Sequence, residues 1–435
     1  MSGRLQGPES PRIHTLSNGV RCVCDPVPGA RTVALVVAAG RGARIESIRE
    51  AGWSHLLEHM VFKGAGGRSA RQMAEAIESG GGQINAETGY ERTVFQVRTL
   101  PEGLDGASAL LSDLLLRPDL DPDDLSRERR VVLQEIAEAE DTPDDLVFEM
   151  AQSAAFQDHP LGRSILGHAA SLARARTQDL REWRRRIYAP DRLVVVASGA
   201  VEEDALLRLA ERDFAVAPTA EAPSAAPGRF SGGVLTADRA LEQANLVFLC
   251  PGLAATDPDA WALQVFTECL GGGMASRLFQ EAREVRGLAY AIDAWGEFWS
   301  DCGMVGVFAG CEAGDASELA ALCAHQIFDL ADRPRADEVD RARAQLKASQ
   351  FIAAESLLSR AEKAAHQVLT HGRLVPPSEI ADRIDACDLA AVRRAGSRVL
   401  EAGTSAAAVL GPRQAHGAAE RFRLALGRTD RRTGP

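Results

Sequence analysis

Apolar positions along this chain switch between two periods, and the switching happens twice in the same order. Val33-Ala34-Leu35-Val36-Val37 is a short unbroken apolar run of strand length. Beyond it, Leu56, Leu57, Met60 and Val61 recur at helical spacing, and Gly64 sits where such a helix should stop. Further strands precede a Leu-rich helix, Leu104 to Leu116, and a polar helix, Asp121 to Glu140. Another helix and a short apolar strand, Leu193 to Ala197, close the first half. The second half repeats the series. Asn245 to Leu249 reads as a strand and Asp257 to Leu270 as a helix. Leu319 to Leu330 and Arg335 to Glu355 are the paired helices, and Ala406 to Leu410 is the closing strand. The pattern predicts an α+β chain of two homologous domains, each a mostly antiparallel β-sheet covered by helices on one face.

Ala217 to Gly228 is rich in Pro, Ala and Ser and divides the chain near its midpoint. The expected layout is a flexible tail over 1–12, a first domain over 13–216, a linker over 217–229, a second domain over 230–425 and a tail over 426–435.

Composition narrows the class. The chain has 435 residues, 46% hydrophobic and 25% charged, which is globular rather than disordered. Its net charge of −12 disfavours nucleic acid as a partner and suits neutral or basic peptides. The N-terminus lacks an apolar signal segment, and the longest apolar run, Val33 to Ala39, is too short to cross a bilayer. Eight cysteines are scattered without a C-x-x-C pair, so buried free thiols are expected. These features point to a bacterial cytoplasm, with no nucleic-acid or membrane partner.

The chemistry concentrates in His55-Leu56-Leu57-Glu58-His59, an H-x-x-E-H pattern. Positions i, i+3 and i+4 share one helix face, so two imidazoles and one carboxylate point the same way. Two neutral imidazoles can grip one Zn²⁺, and the carboxylate can take a proton from a neighbouring water. The second half has no such motif: its matching helix reads Trp261 to Leu270. A third ligand is required. Glu128, Glu135 and Glu138 on the polar helix all qualify, and spacing alone does not separate them.

The run His55 to Gly64, followed by Glu128 and Glu135, resembles the pitrilysin/insulinase family of zinc metallopeptidases, in particular its short-chain processing-peptidase-like branch. Seventy-five residues separate His59 from Glu135, as in that family. The resemblance implies a LuxS/MPP-like metallohydrolase fold and one Zn²⁺ per chain. It implies His55, His59 and Glu135 as ligands, Glu58 as the catalytic general base and Glu128 as a supporting acid. Gly82 to Thr88 resembles the family's G-x-x-N-A-x-T strand, which implies that Asn85 and Ala86 bind substrate by strand addition. His159 to Gly167 resembles another common stretch, in which His159 is taken as structural.

Ser276 to Tyr290 resembles the family's R-E-K-x-G-L-x-Y region, with Val285 where Lys often stands. That implies substrate-contacting roles for Arg283 and Tyr290. Without the resemblance, Arg283 reads as a surface charge and Tyr290 as core. Gly271-Gly272-Gly273 lacks a following Lys-Ser/Thr and reads as a flexible loop rather than a phosphate loop. One metal motif and one Arg/Tyr pair per chain imply a homodimer, with Arg283 and Tyr290 completing the site of the other subunit. The expected activity is zinc-dependent endoproteolysis of peptides or unfolded polypeptides in a closed dimeric chamber. Two alternatives are a non-catalytic or partner subunit of a processing-peptidase-type heterodimer and a specific pro-peptide or presequence processing peptidase.

Overall fold

A computed structural model of the protein describes residues 11–215 and 224–429. Most of the expected N-terminal tail, the first part of the linker and the end of the C-terminal tail lie outside these residues. The chain forms two compact units. The first comprises 1–134, 165–225 and 351–377; the second comprises 135–164, 226–350 and 378–435.

The first unit is built on a six-stranded sheet. Its order is Ile13–Thr15, Arg21–Pro26, Leu193–Gly199, Val33–Ala39, Thr93–Thr99, Gln83–Thr88. All neighbouring pairs are antiparallel except Arg21–Pro26 with Leu193–Gly199. Val33–Ala39 and Leu193–Gly199 are buried at every position. Such unbroken apolar runs require cover on both faces of the sheet. Helix Leu104–Leu116 packs on one face. Helix Leu357–His371 closes the other, placing Ala361, Ala365 and Val368 against Ala34, Val36, Ala38, Val194 and Val196. The expectation of helices on one face only is therefore corrected. A sheet whose central strands carry apolar side chains on both sides would otherwise expose half of them.

The second unit carries a five-stranded sheet in the order Ala291–Phe298, Gly303–Cys311, Ala244–Pro251, Ala406–Gly411, Gly233–Asp238. Only the last pair is parallel. Helix Pro143–Ala155 packs against this sheet, and Phe148 meets Trp295 and Phe308 at ring-centroid distances of 5.0 and 5.5 Å. Helices Ala260–Gly271, Ala316–Asp332, Leu389–Glu401 and Gly417–Thr429 share its main apolar core. The fold is α+β, and its two large sheets are mostly antiparallel.

Gly271 ends a helix rather than lying in a loop. All eight cysteines are free, and all but the half-buried Cys302 are buried. No helix among the described residues is long and apolar enough to cross a membrane.

Candidate metal centre

The motif lies on helix Trp53–Val61. Within it, His55, Glu58 and His59 are half-buried and the other residues are buried, Leu56, Leu57, Met60 and Val61 fully so. The face predicted from spacing is thus the open face. The helix starts abruptly at Gly52, whose φ of 84° favours glycine. A Cβ there would lie 2.5 Å from the Leu166 carbonyl oxygen, so the loop at Leu166–Gly167 presses directly on the helix start. Gly52 offers no side chain to cap the first amides. Glu46 does so from outside the helix, accepting hydrogen bonds from the Gly52 and Ser54 backbone N–H groups at 2.8 and 2.7 Å. Trp183 donates to Ser54 Oγ at 3.2 Å and meets Trp53 edge-on, which fixes the rotation of the helix.

Burial pushes the Glu46 carboxyl up to about 7, against the opposing effect of those hydrogen bonds. Its pKa is raised on folding, so the unfolded chain loses its proton first as pH rises. Stability from this group is then full below about 4.5 and falls as pH rises toward about 7. Glu46→Gln cannot titrate and leaves one of the two amides facing an NH₂ group. The melting temperature of the wild type is expected to fall relative to that of Glu46→Gln between pH 5 and pH 7. A constant difference across that range would contradict the assignment.

The second part of the centre comes from helix Pro122–Asp141. Asp121 starts it by accepting from the Asp123 and Asp124 amides, and Pro122 occupies a first-turn position that needs no N–H. Arg129 anchors it by donating to the Leu172 and Ala175 carbonyls at 3.0 and 2.8 Å. Val132 is fully buried, so the helix presents one fixed face. The division between the two units falls within this continuous helix, immediately before Glu135.

Side-chain donor atoms of His55, His59 and Glu135 all lie within 4.8 Å of one another, and all three residues are half-buried. Of the three acids left open by spacing, Glu135 joins the histidines. Glu128 is buried and accepts from His59 Nδ1 at 3.2 Å and from Lys63 Nζ at 2.9 Å. Glu138 is exposed. A proton on His59 Nδ1 leaves the lone pair on Nε2 for a metal. Burial, with the neighbouring His59, holds His55 down to about 4, so its imidazole is neutral at pH 7 as a ligand must be. Two neutral imidazoles and a carboxylate are a donor set that suits zinc and leaves room for a water.

Glu58 Oε2 accepts from Thr88 Oγ1 at 2.5 Å. Burial, with the nearby Glu58 charge, raises the Tyr188 hydroxyl well above its ordinary range, which keeps it neutral. Asn85 and Ala86 lie on Gln83–Thr88, the edge strand of the sheet, opposite Gln96 and Phe95. Asn85 is exposed and Ala86 half-buried.

Arg283 and Tyr290 stand together in the second unit. Arg283 sits in a π-helical turn, Phe279–Val285, with its guanidinium 4.7 Å from the Phe279 ring centroid and 5.4 Å from that of Tyr290. Tyr290 is 74% exposed rather than core. His159 is buried; its Nδ1 accepts from the Leu161 amide at 3.1 Å and its Nε2 lies 3.2 Å from the Ala226 carbonyl oxygen. The motifs did not single out Glu46, Lys63 or Tyr188, and they quoted Thr88 without a role.

Residues 23–169 match the insulinase family, peptidase family M16, and residues 175–346 match the peptidase M16 inactive domain. The chain is 31% identical over 410 residues to an uncharacterized zinc protease of Rickettsia bellii, covering 94% of this chain and 99% of that protein. It is 32% identical over 425 residues to the probable mitochondrial-processing peptidase subunit beta of Arabidopsis thaliana, covering 94% and 80%. The crystal structure of a protease from Helicobacter pylori superposes with a TM-score of 0.85 at 19% identity, covering 93% of this chain and 99% of that one. The chain carries the two-domain architecture and the His-His-Glu cluster of a metalloprotease. It belongs to the M16 insulinase family of zinc proteases.

Proposed function

We propose that this chain is a zinc-dependent endopeptidase that cleaves peptides or unfolded polypeptides within a chamber formed by two copies. The observation that carries this reading is the convergence of His55 and His59, on the open helix face that also bears Glu58, with Glu135 from a second helix. His55, His59 and Glu135 hold the metal, and Glu128 supports His59 through its Nδ1 proton. Zinc, when bound, polarises the scissile carbonyl and lowers the pKa of a water toward ~7. Glu58 takes the proton from the attacking water and delivers it to the leaving amine as the C–N bond breaks. Asn85 and Ala86 offer edge-strand backbone to an extended peptide, which selects chain conformation more than side chains. Arg283 and Tyr290, supplied by the second copy, donate hydrogen bonds to the carbonyl oxygen as negative charge develops.

The relative named as a processing peptidase subunit favours one second reading, a specific processing enzyme or a subunit of a heterodimer. A cytoplasmic site of action fits both. A digest of a mixed peptide library read by mass spectrometry tests the proposal. Cleavage of many unrelated peptides is expected, abolished by a chelator and restored by zinc. Cleavage at a single motif would favour processing. Undiminished cleavage after complete zinc removal would overturn the zinc mechanism.

A further inference from the structure

The edge strand Gln83–Thr88 ends at the motif helix. Its residues alternate between the two faces of the sheet. Ala86 and Thr88 lie on the same face as Phe95, whose ring meets Phe62 at 6.3 Å and Tyr188 at 5.6 Å. Thr88 is 7% exposed, and its hydroxyl oxygen lies 2.5 Å from Glu58 Oε2. An O–H to carboxylate bond of that length is in the strong, charge-assisted range.

We propose that Thr88 is a positioning residue for the reaction: its hydroxyl pins one oxygen of Glu58, which turns the other toward the attacking water. This rests on the zinc-peptidase reading, in which Glu58 is the base. The physical case is geometric. A glutamate side chain has three rotatable bonds, and an unpinned carboxylate samples several rotamers. A base must lie within hydrogen-bond reach of the proton it takes, and misplacement by ~1 Å can cost about 10²-fold in rate. Thr88 also sits three residues beyond Asn85 on one strand. Substrate pairing along that strand therefore orders the segment that holds the base.

The test compares Thr88→Val, Thr88→Ser, Glu58→Gln and the double variant Thr88→Val/Glu58→Gln in the full-length protein. Zinc affinity is measured by chelator competition, and kcat and KM with a quenched fluorescent peptide. Valine keeps the shape and removes the donor. Thr88→Val is expected to bind zinc as the wild type does and to keep KM within about threefold, while kcat falls about 10- to 100-fold. Serine retains the hydroxyl and is expected to recover kcat to within about threefold of wild type. In the Glu58→Gln background, Thr88→Val is expected to add no further loss, because the two act as one unit.

Wild-type kcat in zinc-loaded Thr88→Val would overturn the proposal. So would a serine variant as slow as the valine variant, which would assign the effect to packing of the methyl group. Loss of zinc in Thr88→Val would also overturn it, placing Thr88 in metal retention instead. Full activity in Glu58→Gln would instead overturn the underlying reading of the base, so the two failures are distinguishable.

Discussion

Glu58→Gln is expected to bind zinc as tightly as the wild type and to lose peptide hydrolysis by about 10²- to 10⁴-fold. The carboxamide is nearly isosteric and still accepts a hydrogen bond, so the contact from Thr88 survives. It cannot accept the proton of the attacking water. His55, His59 and Glu135 are untouched, so the metal stays. Activity and metal content should therefore separate cleanly in this variant. Turnover within roughly tenfold of wild type, less than one general base contributes, would remove Glu58 from that role.

Two inactive proteins are expected to restore each other. Tyr290→Phe removes an exposed hydroxyl whose loss should cost about 10²- to 10³-fold if it donates to the developing oxyanion. When Glu58→Gln and Tyr290→Phe proteins are mixed and subunits exchange, each hybrid dimer pairs one intact Glu58 with the intact Tyr290 of its partner subunit. Random exchange makes half the dimers hybrid with one whole site in two, so activity should return to about a quarter of wild type. If Tyr290 serves its own chain, no hybrid site is whole and the mixture stays inactive. Light scattering on the same samples reports whether a dimer exists at all.

Much of this architecture was legible in the order of apolar runs. Val33–Ala39 and Leu193–Ala197 stood out as unbroken apolar runs, as strands buried on both faces should be, and the second strand continues to Gly199. Leu104–Leu116 was readable to the residue, since its leucines follow the helical period up to Arg117. The two histidines of the candidate metal centre on Trp53–Val61 were readable because a helix converts spacing directly into a shared face.

What the sequence hid was set by contacts between distant segments. Nothing in Leu357–His371 says which sheet its alanines cover, and that cover decides whether the first sheet has one protected face or two. Glu46 caps a helix it does not belong to, so no capping pattern at Gly52 could reveal it. Spacing alone left the choice among Glu128, Glu135 and Glu138 open, and only the family resemblance pointed to Glu135, because all three lie on one long helix whose docking decides which meets the histidines. Without the family resemblance Tyr290 reads as core from its aromatic ring, yet it is exposed and lies beside Arg283. An aromatic side chain held at the surface by a cation is invisible to hydropathy.

The most direct test of the account is zinc content by elemental analysis on purified wild-type and Glu135→Ala proteins dialysed against the same buffer. About one zinc per chain is expected in the wild type, and close to none in Glu135→Ala, since removing one of three protein ligands opens the site. Stoichiometric zinc held at wild-type affinity by Glu135→Ala would contradict the assignment and move the third ligand to Glu128 or Glu138. A fully active wild type without zinc would contradict the mechanism as a whole.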